Sequence, residues 1–180
     1  MDLAGWECNL MARLEADTEF CWPIIIRKLR TYDGMFGALQ MKSSGELLRF
    51  GIRNSRESDF RPNELIIQSE EIQLDTTAGI ETQLVEADLV GGATVLVPGI
   101  YWACFHANGI LSFIASPAST KQFFSISQNN SLSPTMYSTE EATYDPNGLR
   151  AQLETNSLTE RLSLTPCAGV RIAEPENWII

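Results

Sequence analysis

Hydrophobic residues in this chain recur in short runs, and the composition and boundaries of these runs indicate β-strands. From residue 21 onward the runs are rich in β-branched and aromatic residues and end at Gly, Pro, Asn, Asp or Ser. Strands at such regular spacing are typical of a β-sandwich or a barrel. The predicted strands cover residues 21–29, 35–42, 46–53, 65–68, 80–85, 94–97, 99–106, 110–115, 122–127, 158–164 and 169–173.

One of these runs alternates clearly between apolar and polar residues. Leu48, Phe50 and Ile52 share one side of the strand, whereas Arg49 and Arg53 share the other side. We therefore predict that the first side packs in the core and that the second side is in contact with water.

The run 99–106 is apolar on both sides, which predicts a strand in the middle of a sheet or beneath a neighbouring subunit. Asn108 and Gly109 follow it, and both residue types tolerate positive φ. The sequence therefore predicts a tight hairpin between this strand and the run 110–114.

The first residues follow a different pattern, since Trp6, Leu10 and Leu14 recur at helical spacing. A short helix and an extended arm are both compatible with this segment, because a helix of this length is marginal without packing partners. We predict that residues 1–20 form an attachment arm that contacts another copy or an anchoring protein. Residues 21–180 then form a single β-sandwich domain, which suits a chain of 180 residues.

The net charge of −10 bears on the partners of the protein. This charge repels phosphate backbones and anionic lipids, so we expect neither nucleic-acid binding nor membrane insertion. The charge is also uneven: nine of the thirteen Lys and Arg residues lie at or before Arg61, and none lies in 62–120. The acidic residues of that stretch could form a solvated face or contact the basic part of a neighbouring copy. They are Glu64, Glu70, Glu71, Asp75, Glu81, Glu86 and Asp88.

The chain has four cysteines and one histidine, and neither residue type suggests a cofactor. Cys8, Cys21, Cys104 and Cys167 lie far apart and form no CxxC pair, so we expect no metal site and no cofactor. Without a recognisable export signal, they are expected to be reduced, mostly buried thiols.

The polar stretch 128–157 is rich in turn-forming residues and is the longest candidate binding loop. Tyr137 and Tyr144 could stack on a sugar ring, and Asp145 and Asn147 could bond its hydroxyl groups. The stretch could equally be a surface excursion that covers the end of the sandwich. Near the C-terminus, the apolar residue Trp178 is expected to pack under a neighbouring copy.

Three motifs resemble a pattern of phage tail-fibre and appendage domains. They are Leu48-Arg49-Phe50-Gly51-Ile52-Arg53-Asn54, Arg61-Pro62-Asn63-Glu64-Leu65-Ile66 and Val95-Leu96-Val97-Pro98-Gly99-Ile100-Tyr101-Trp102-Ala103. The resemblance covers about half of the chain, from Gly34 to Ser116. Arg53 stands where that family usually has Tyr, and no fibrous shaft precedes the domain, which favours a knob or bridging subunit.

The resemblance implies an all-β, jelly-roll-like antiparallel sandwich that assembles as a homotrimer. The expected function is that of a structural and adhesive virion subunit, made in the host cytoplasm, in a tail fibre, baseplate or capsid appendage. Its expected partners are other copies of the chain, other virion structural proteins and a host-surface carbohydrate. A lectin-like binding module without a virion role is the alternative hypothesis, and a glycoside hydrolase is a third hypothesis.

Catalysis is not expected from the residue pattern. A Ser-His-Asp triad would have to use His106, and no nucleophile motif surrounds any serine. The acidic pairs Glu70-Glu71 and Glu140-Glu141 are adjacent in sequence, and adjacent strand residues point to opposite sides. We therefore predict a protein that binds and assembles, not an enzyme.

Overall fold

The computed structural model describes residues 10–40, 46–74, 82–116, 136–139, 143–154, 158–161, 165–166 and 168–173. Within these ranges the chain forms strands and turns, and no segment there is a helix that could cross a membrane. The strands are β1 (Leu10–Leu14), β2 (Thr18–Ile26), β3 (Arg30–Gln40), β4 (Leu47–Ser55), β5 (Pro62–Gln68), β6 (Ile72–Gln73), β7 (Thr82–Asp88), β8 (Thr94–Leu96), β9 (Gly99–Ala107), β10 (Leu111–Ser116), β11 (Met136–Thr139), β12 (Leu158–Arg161), β13 (Thr165–Pro166) and β14 (Ala168–Ile172).

The strands form two antiparallel sheets whose order is that of a jelly roll. In sheet A, β10 lies between β1 and β3, and β3 also pairs with β7, β8 and β14. In sheet B, the order is β12-β11-β2-β9-β4-β5. The orders β1-β10-β3-β7 and β2-β9-β4-β5 interleave the chain between the sheets as two Greek keys do. The jelly-roll-like sandwich predicted from the sequence is confirmed.

The core between the sheets is built around an aromatic cluster. The ring of Phe105 in β9 lies 5.7 Å from that of Phe20, 5.0 Å from that of Trp22 and 4.3 Å from that of Phe113. Phe113 belongs to sheet A, so this contact joins the two layers. The predicted inner side of β4 is confirmed, because Leu48, Phe50 and Ile52 are fully buried in the same core.

The predicted hairpin after β9 is wrong, because residues 108–109 form a bend between strands of different sheets. β9 pairs with β2 and β4 in sheet B, whereas β10 pairs with β1 and β3 in sheet A. Asn108 and Gly109 therefore carry the chain from one sheet to the other. Leu47 N donates a hydrogen bond to Asn108 Oδ1 at 2.8 Å, which fixes this crossing. Turn chemistry alone does not distinguish a hairpin from a connection between layers.

Residues 10–14 are extended and form a strand of sheet A, so the helical alternative is wrong for these residues. β1 pairs with the edge of β10, where strand hydrogen bonds are available and override the weak helical spacing. Leu14 is buried in the core of its own chain, opposite Leu111, and is not on the surface where an attachment contact was predicted. Leu10 lies in β1, and Trp6 and Trp178 lie outside the described residues.

Candidate functional site

Residues 143–154, which we call the strap, cross the outer face of sheet B. Leu65 N donates to Ala151 O at 2.8 Å, and Leu153 N donates to Asn63 O at 3.4 Å, so the strap runs beside β5. Farther along, Leu149 N donates to the side chain of Gln68 at 2.7 Å. The strap is the described part of the predicted binding loop 128–157 that follows β11, and it covers the face of a sheet rather than the end of the sandwich.

A buried ion pair lies between the strap and sheet B. Arg53 Nε donates to Glu19 Oε1 at 2.7 Å, and Arg53 Nη2 donates to Glu19 Oε2 at 3.0 Å. The same guanidinium group donates to the backbone carbonyls of Asn63 at 3.0 Å and Arg150 at 2.8 Å. Each acceptor is either a carboxylate oxygen or a backbone carbonyl oxygen. The buried guanidinium group of Arg53 therefore joins β2, β4, β5 and the strap through hydrogen bonds that are shielded from water.

The strap explains why the prediction of a wetted outer side on β4 is wrong. Arg49 and Arg53 are both buried, at 7 % and 0 % relative exposure. Arg49 donates to Pro146 O at 3.0 Å and to Glu71 at 3.4 Å, so strap backbone replaces water as its partner. A Cβ on Gly51 would collide with Leu149, which shows how closely the strap approaches β4.

Tyr144 is a buried anchor of the strap, whereas an exposed ring was predicted from the sequence. Its hydroxyl donates to Glu71 Oε2 at 2.8 Å, and its backbone N donates to Asp17 Oδ1 at 2.9 Å. Its ring centroid lies 5.2 Å from that of His106, the buried histidine of β9. Burial, together with the bond to the Glu71 carboxylate, raises the pKa of Tyr144 well above its usual value. In this position the ring does not offer an open stacking face.

The other predicted ligand-binding residues are placed differently. Asp145 and Asn147 are exposed in a turn, where Asp145 Oδ1 accepts bonds from Asn147 N at 2.8 Å and from Asn147 Nδ2 at 2.9 Å. These bonds lower the pKa of Asp145. Tyr137 lies in β11 opposite Cys21, and its side chain is outside the part of the chain that the structure describes. Among these residues, only Asp145 and Asn147 are brought together on the surface of the strap.

The raised pKa of Tyr144 leads to a testable alkaline effect. The folded state retains the phenol proton after the unfolded chain begins to lose it near pH 10. Stability from this group is therefore fully present below about pH 10 and decreases as the pH rises toward the folded-state pKa. In urea unfolding from pH 8 to 11, the wild type should lose more stability than Tyr144→Phe. Equal pH slopes for the two proteins would contradict the assigned environment of Tyr144.

Cys21 and Cys104 form a disulfide, which corrects the expectation of reduced thiols for this pair. They are 83 residues apart in sequence, but β2 and β9 are neighbours and their register places the two residues opposite each other. The pair is buried with Trp102 and Leu153, beneath the strap. Sequence spacing hides such a pairing because it depends on the order of strands in the sheet. Cys8 and Cys167 lie outside the described residues.

One group of side chains has the spacing that a metal site requires. The donor atoms of Glu19, Cys21 and Cys104 lie within 4.8 Å of one another. The two sulfur atoms are bonded to each other, and both Glu19 oxygens accept hydrogen bonds from Arg53. Metal binding requires thiolates and a free carboxylate. All three donors are already engaged, and this group does not fit a metal ion in the disulfide form.

An open depression lies where the end of the strap meets the connection between β4 and β5. Its cavity volume is about 740 Å³. Next to it in the chain is Phe60, an aromatic residue that is 45 % exposed. This connection was not predicted as a site, because a single Phe among charged residues forms no recognisable motif. The lining residues are Arg56, Ser58, Asp59, Gln152, Leu153 and Glu154.

A second surface feature is an apolar patch at one end of the sandwich, which we call the apolar end and define as Leu29, Val95 and Val97. Their relative exposures are 64 %, 55 % and 54 %. Arg30 pairs with Leu96, so the register brings Leu29 and Val97, the next residues outward, side by side. These aliphatic side chains therefore form a single exposed surface and are not scattered.

Part of the acidic stretch gathers around one cation on sheet A. Arg171 of β14 donates to Asp33 at 2.8 Å and to Glu86 at 3.3 Å, and it also bonds Asp88. These carboxylates raise the pKa of Arg171. These ion pairs of Arg171 are partly exposed, so they should add little to the free energy of unfolding. Their main effect is to position β14 relative to β3 and β7.

No protein-family model matches this chain, and no curated protein matches it. Jelly rolls serve many unrelated functions, and function must therefore be argued from the surface described above.

Proposed function

We propose that this chain is a structural and adhesive subunit of a phage virion, in a tail fibre, baseplate or capsid appendage. In this proposal it is made in the host cytoplasm, assembles as a homotrimer and binds a host-surface glycan or another virion protein. Jelly-roll domains are used both in viral capsids and in lectins, which is consistent with a binding role. The proposal is one of binding and assembly and not of catalysis.

The observation that carries the proposal is the apolar end. Leu29, Val95 and Val97 are each more than half exposed and are neighbours in the register of β3 and β8. Contiguous exposed apolar patches larger than a few hundred Å² are uncommon on soluble monomers and mark contacts with other proteins. Burying it yields roughly 25 cal/mol for each Å² removed from water. A second copy of the chain is the partner that this proposal assigns to it.

The charges around this surface support a contact between copies. Arg27 and Lys28 are exposed and directly precede Leu29. Glu70 and Asp88 are exposed elsewhere on the molecule and are joined by a backbone hydrogen bond from Glu70 N to Asp88 O at 2.8 Å. A basic, apolar end that meets an acidic side would be attractive in each copy-to-copy contact. Such a heterologous contact closes into a ring when its rotation is that of a three-fold axis.

The disulfide is compatible with a virion location. Cytosolic glutathione keeps most thiols reduced, whereas disulfides persist on virion surfaces. In the proposed life cycle, Cys21 and Cys104 would be linked once the particle leaves the host cell.

The double substitution Leu29→Ser/Val97→Ser tests the proposal. Both side chains are exposed, so the fold should be retained, with a change in stability within about 0.5 kcal/mol. We expect sedimentation velocity to find a trimer for the wild type and a monomer for the variant. High salt should also weaken the trimer, because it screens the charged contacts.

Leu84→Ser is the matched control, because Leu84 is 59 % exposed but lies in β7, away from the apolar end. It should sediment as the wild type does. If Leu29→Ser/Val97→Ser retains the mass of the wild-type oligomer, the apolar end is not the assembly surface.

A lectin-like module without a virion role is the second candidate, and the open depression between the β4–β5 connection and the strap is the observation that favours it. A chain that stays monomeric and binds a glycan would support this reading over assembly. Turnover of chromogenic glycosides would instead support the hydrolase reading, and we expect none.

A further inference from the structure

The disulfide between Cys21 and Cys104 is enclosed on the outer face of sheet B. Both residues are fully buried and pack with Trp102 and Leu153, and Leu158 of β12 adds to this cluster. Leu153 is the strap residue of the cluster and is itself fully buried. Thiol–disulfide exchange requires a thiolate to reach one of the two sulfur atoms. In the folded protein, the bond is therefore formed or broken only after the cover around Leu153 has moved.

The strap is held most weakly at its end next to the disulfide. Leu149 N and Ala151 O make hydrogen bonds of 2.7 Å and 2.8 Å with β5. At Leu153, the bond from its N to Asn63 O is 3.4 Å long, and its O accepts from Arg56 Nη2 at 3.5 Å. Hydrogen bonds between N and O weaken beyond about 3.2 Å. We therefore expect the strap to open first at Leu153, next to the disulfide.

A chain of polar contacts also connects the sulfur atoms to the strap. Cys21 Sγ lies 3.8 Å from Glu19 Oε1, the same oxygen that accepts from Arg53 Nε. Arg53 in turn donates to Arg150 O in the strap. A disulfide sulfur has no proton, whereas the thiol of a reduced Cys21 is a donor next to this carboxylate. Reduction therefore adds a competing donor to the ion pair that holds the strap.

Reduction also changes the space that the two sulfur atoms need. The register of β2 and β9 places Cys21 and Cys104 directly opposite each other. Two sulfur atoms that are no longer bonded must move apart to van der Waals contact, and extra volume in a closed cluster forces its neighbours to shift. Trp102 is held by two hydrogen bonds from its indole N, each 3.1 Å long. Leu153 has no such anchor on its side chain and is the neighbour that moves.

We propose that the strap is a redox-controlled cover of sheet B, which is closed over the Cys21–Cys104 disulfide and opens at Leu153 when this pair is reduced. In the reducing step, the thiolate of a small dithiol attacks one sulfur atom and forms a mixed disulfide. Its second thiol then displaces the other sulfur as a cyclic disulfide forms, so the protein gains two electrons and two protons. This inference goes beyond the proposed function and depends on neither the oligomer nor a glycan.

Amide hydrogen exchange of the full chain, followed by mass spectrometry with and without dithiothreitol, is the first test. Reduction should raise the exchange rate of strap residues 149–153 at least tenfold, because local opening exposes their amides. Exchange in β7 should keep its oxidised rate, since β7 belongs to the other sheet. Equal strap exchange in the two states, or the same acceleration in β7 as in the strap, would overturn the proposal.

Two double variants identify the cysteines that are responsible. Cys21→Ser/Cys104→Ser keeps two unbonded polar side chains in the cluster, so its strap should exchange rapidly with or without dithiothreitol. Cys8→Ser/Cys167→Ser retains the buried pair and should respond to dithiothreitol as the wild type does. A response that persists in the first variant and is lost in the second would refute the proposal.

The strap should also limit the rate at which dithiothreitol reduces the disulfide. Leu153→Ala truncates the cover, and we expect alkylation and mass spectrometry to find reduction at least tenfold faster than in the wild type. Leu39→Ala is the matched control, because Leu39 is equally buried but lies in the core on the side of sheet A. It should accelerate reduction much less. Equal acceleration in the two variants, or none in Leu153→Ala, would mean that the strap does not guard the disulfide.

Discussion

Glu19→Ala is expected to lower the free energy of unfolding by about 3–5 kcal/mol, which is the usual cost of breaking a buried ion pair. The substitution leaves the guanidinium group of Arg53 without its anion at a position with 0 % exposure. Water cannot replace the lost partner while the strap is in place, so the strap should also loosen. Urea unfolding measures the first effect, and limited proteolysis between residues 143 and 154 measures the second.

The double substitution Glu19→Leu/Arg53→Met separates the ion pair from simple packing. Removing both charges avoids an uncompensated buried charge, and such replacements are often neutral in stability. Two backbone carbonyls, those of Asn63 and Arg150, still lose a donor in this variant, so recovery should be partial. If the double substitution costs as much as the sum of the single ones, the two residues are not coupled as described.

Phe105→Ala should destabilise the protein by about 3–5 kcal/mol, because truncation of a buried aromatic residue leaves a cavity. Phe105 contacts three other aromatic rings and is 1 % exposed, and its contact with Phe113 joins the two sheets. The urea midpoint should therefore fall sharply. Val90→Ala is the control, since Val90 is 40 % exposed and its truncation should change stability by less than about 0.5 kcal/mol.

A loss at Phe105→Ala no larger than that at Val90→Ala would mean that this aromatic cluster is not the junction of the two layers. Comparison with Glu19→Ala is also informative. Phe105→Ala weakens the core between the sheets, whereas Glu19→Ala weakens the attachment of the strap to sheet B. Only Glu19→Ala should therefore expose the strap to protease before global unfolding.

Much of the fold was predictable because strands with one buried side leave a clear alternation in the sequence. The buried inner side of β4 and the central position of β9 were both predicted. Both strands lie in the interior of sheet B. The apolar character of β9 on both sides reflects its two covers, the core below and the strap above. The local pattern of apolar and polar residues was sufficient to predict a strand where neighbouring strands decide which residues are buried.

The predictions that failed depend on contacts between distant parts of the chain. The burial of Arg49 and Arg53 results from a strap about 100 residues later in sequence, as the pairings with Pro146 and Arg150 show. The disulfide depends on the adjacency of β2 and β9, which sequence spacing does not reveal. β11 was not predicted, because its four residues lie in a polar stretch, although they pair with both β2 and β12 in sheet B.

The candidate site was predicted only in part. The binding loop identified in the sequence contributes Gln152 and Glu154 to the depression, but Tyr144 is used to anchor the strap. The aromatic residue that is presented at the surface is Phe60, whose exposure and positive φ are three-dimensional properties. Residue type alone could not show that Phe60 is exposed and that Tyr144 is buried.

We propose that this jelly roll functions by assembly with copies of itself. Sedimentation velocity of the full wild-type chain over a range of concentrations is the test. We expect a species with three times the mass of one chain that persists on dilution at moderate salt. A single species with the mass of one chain at every concentration would contradict it.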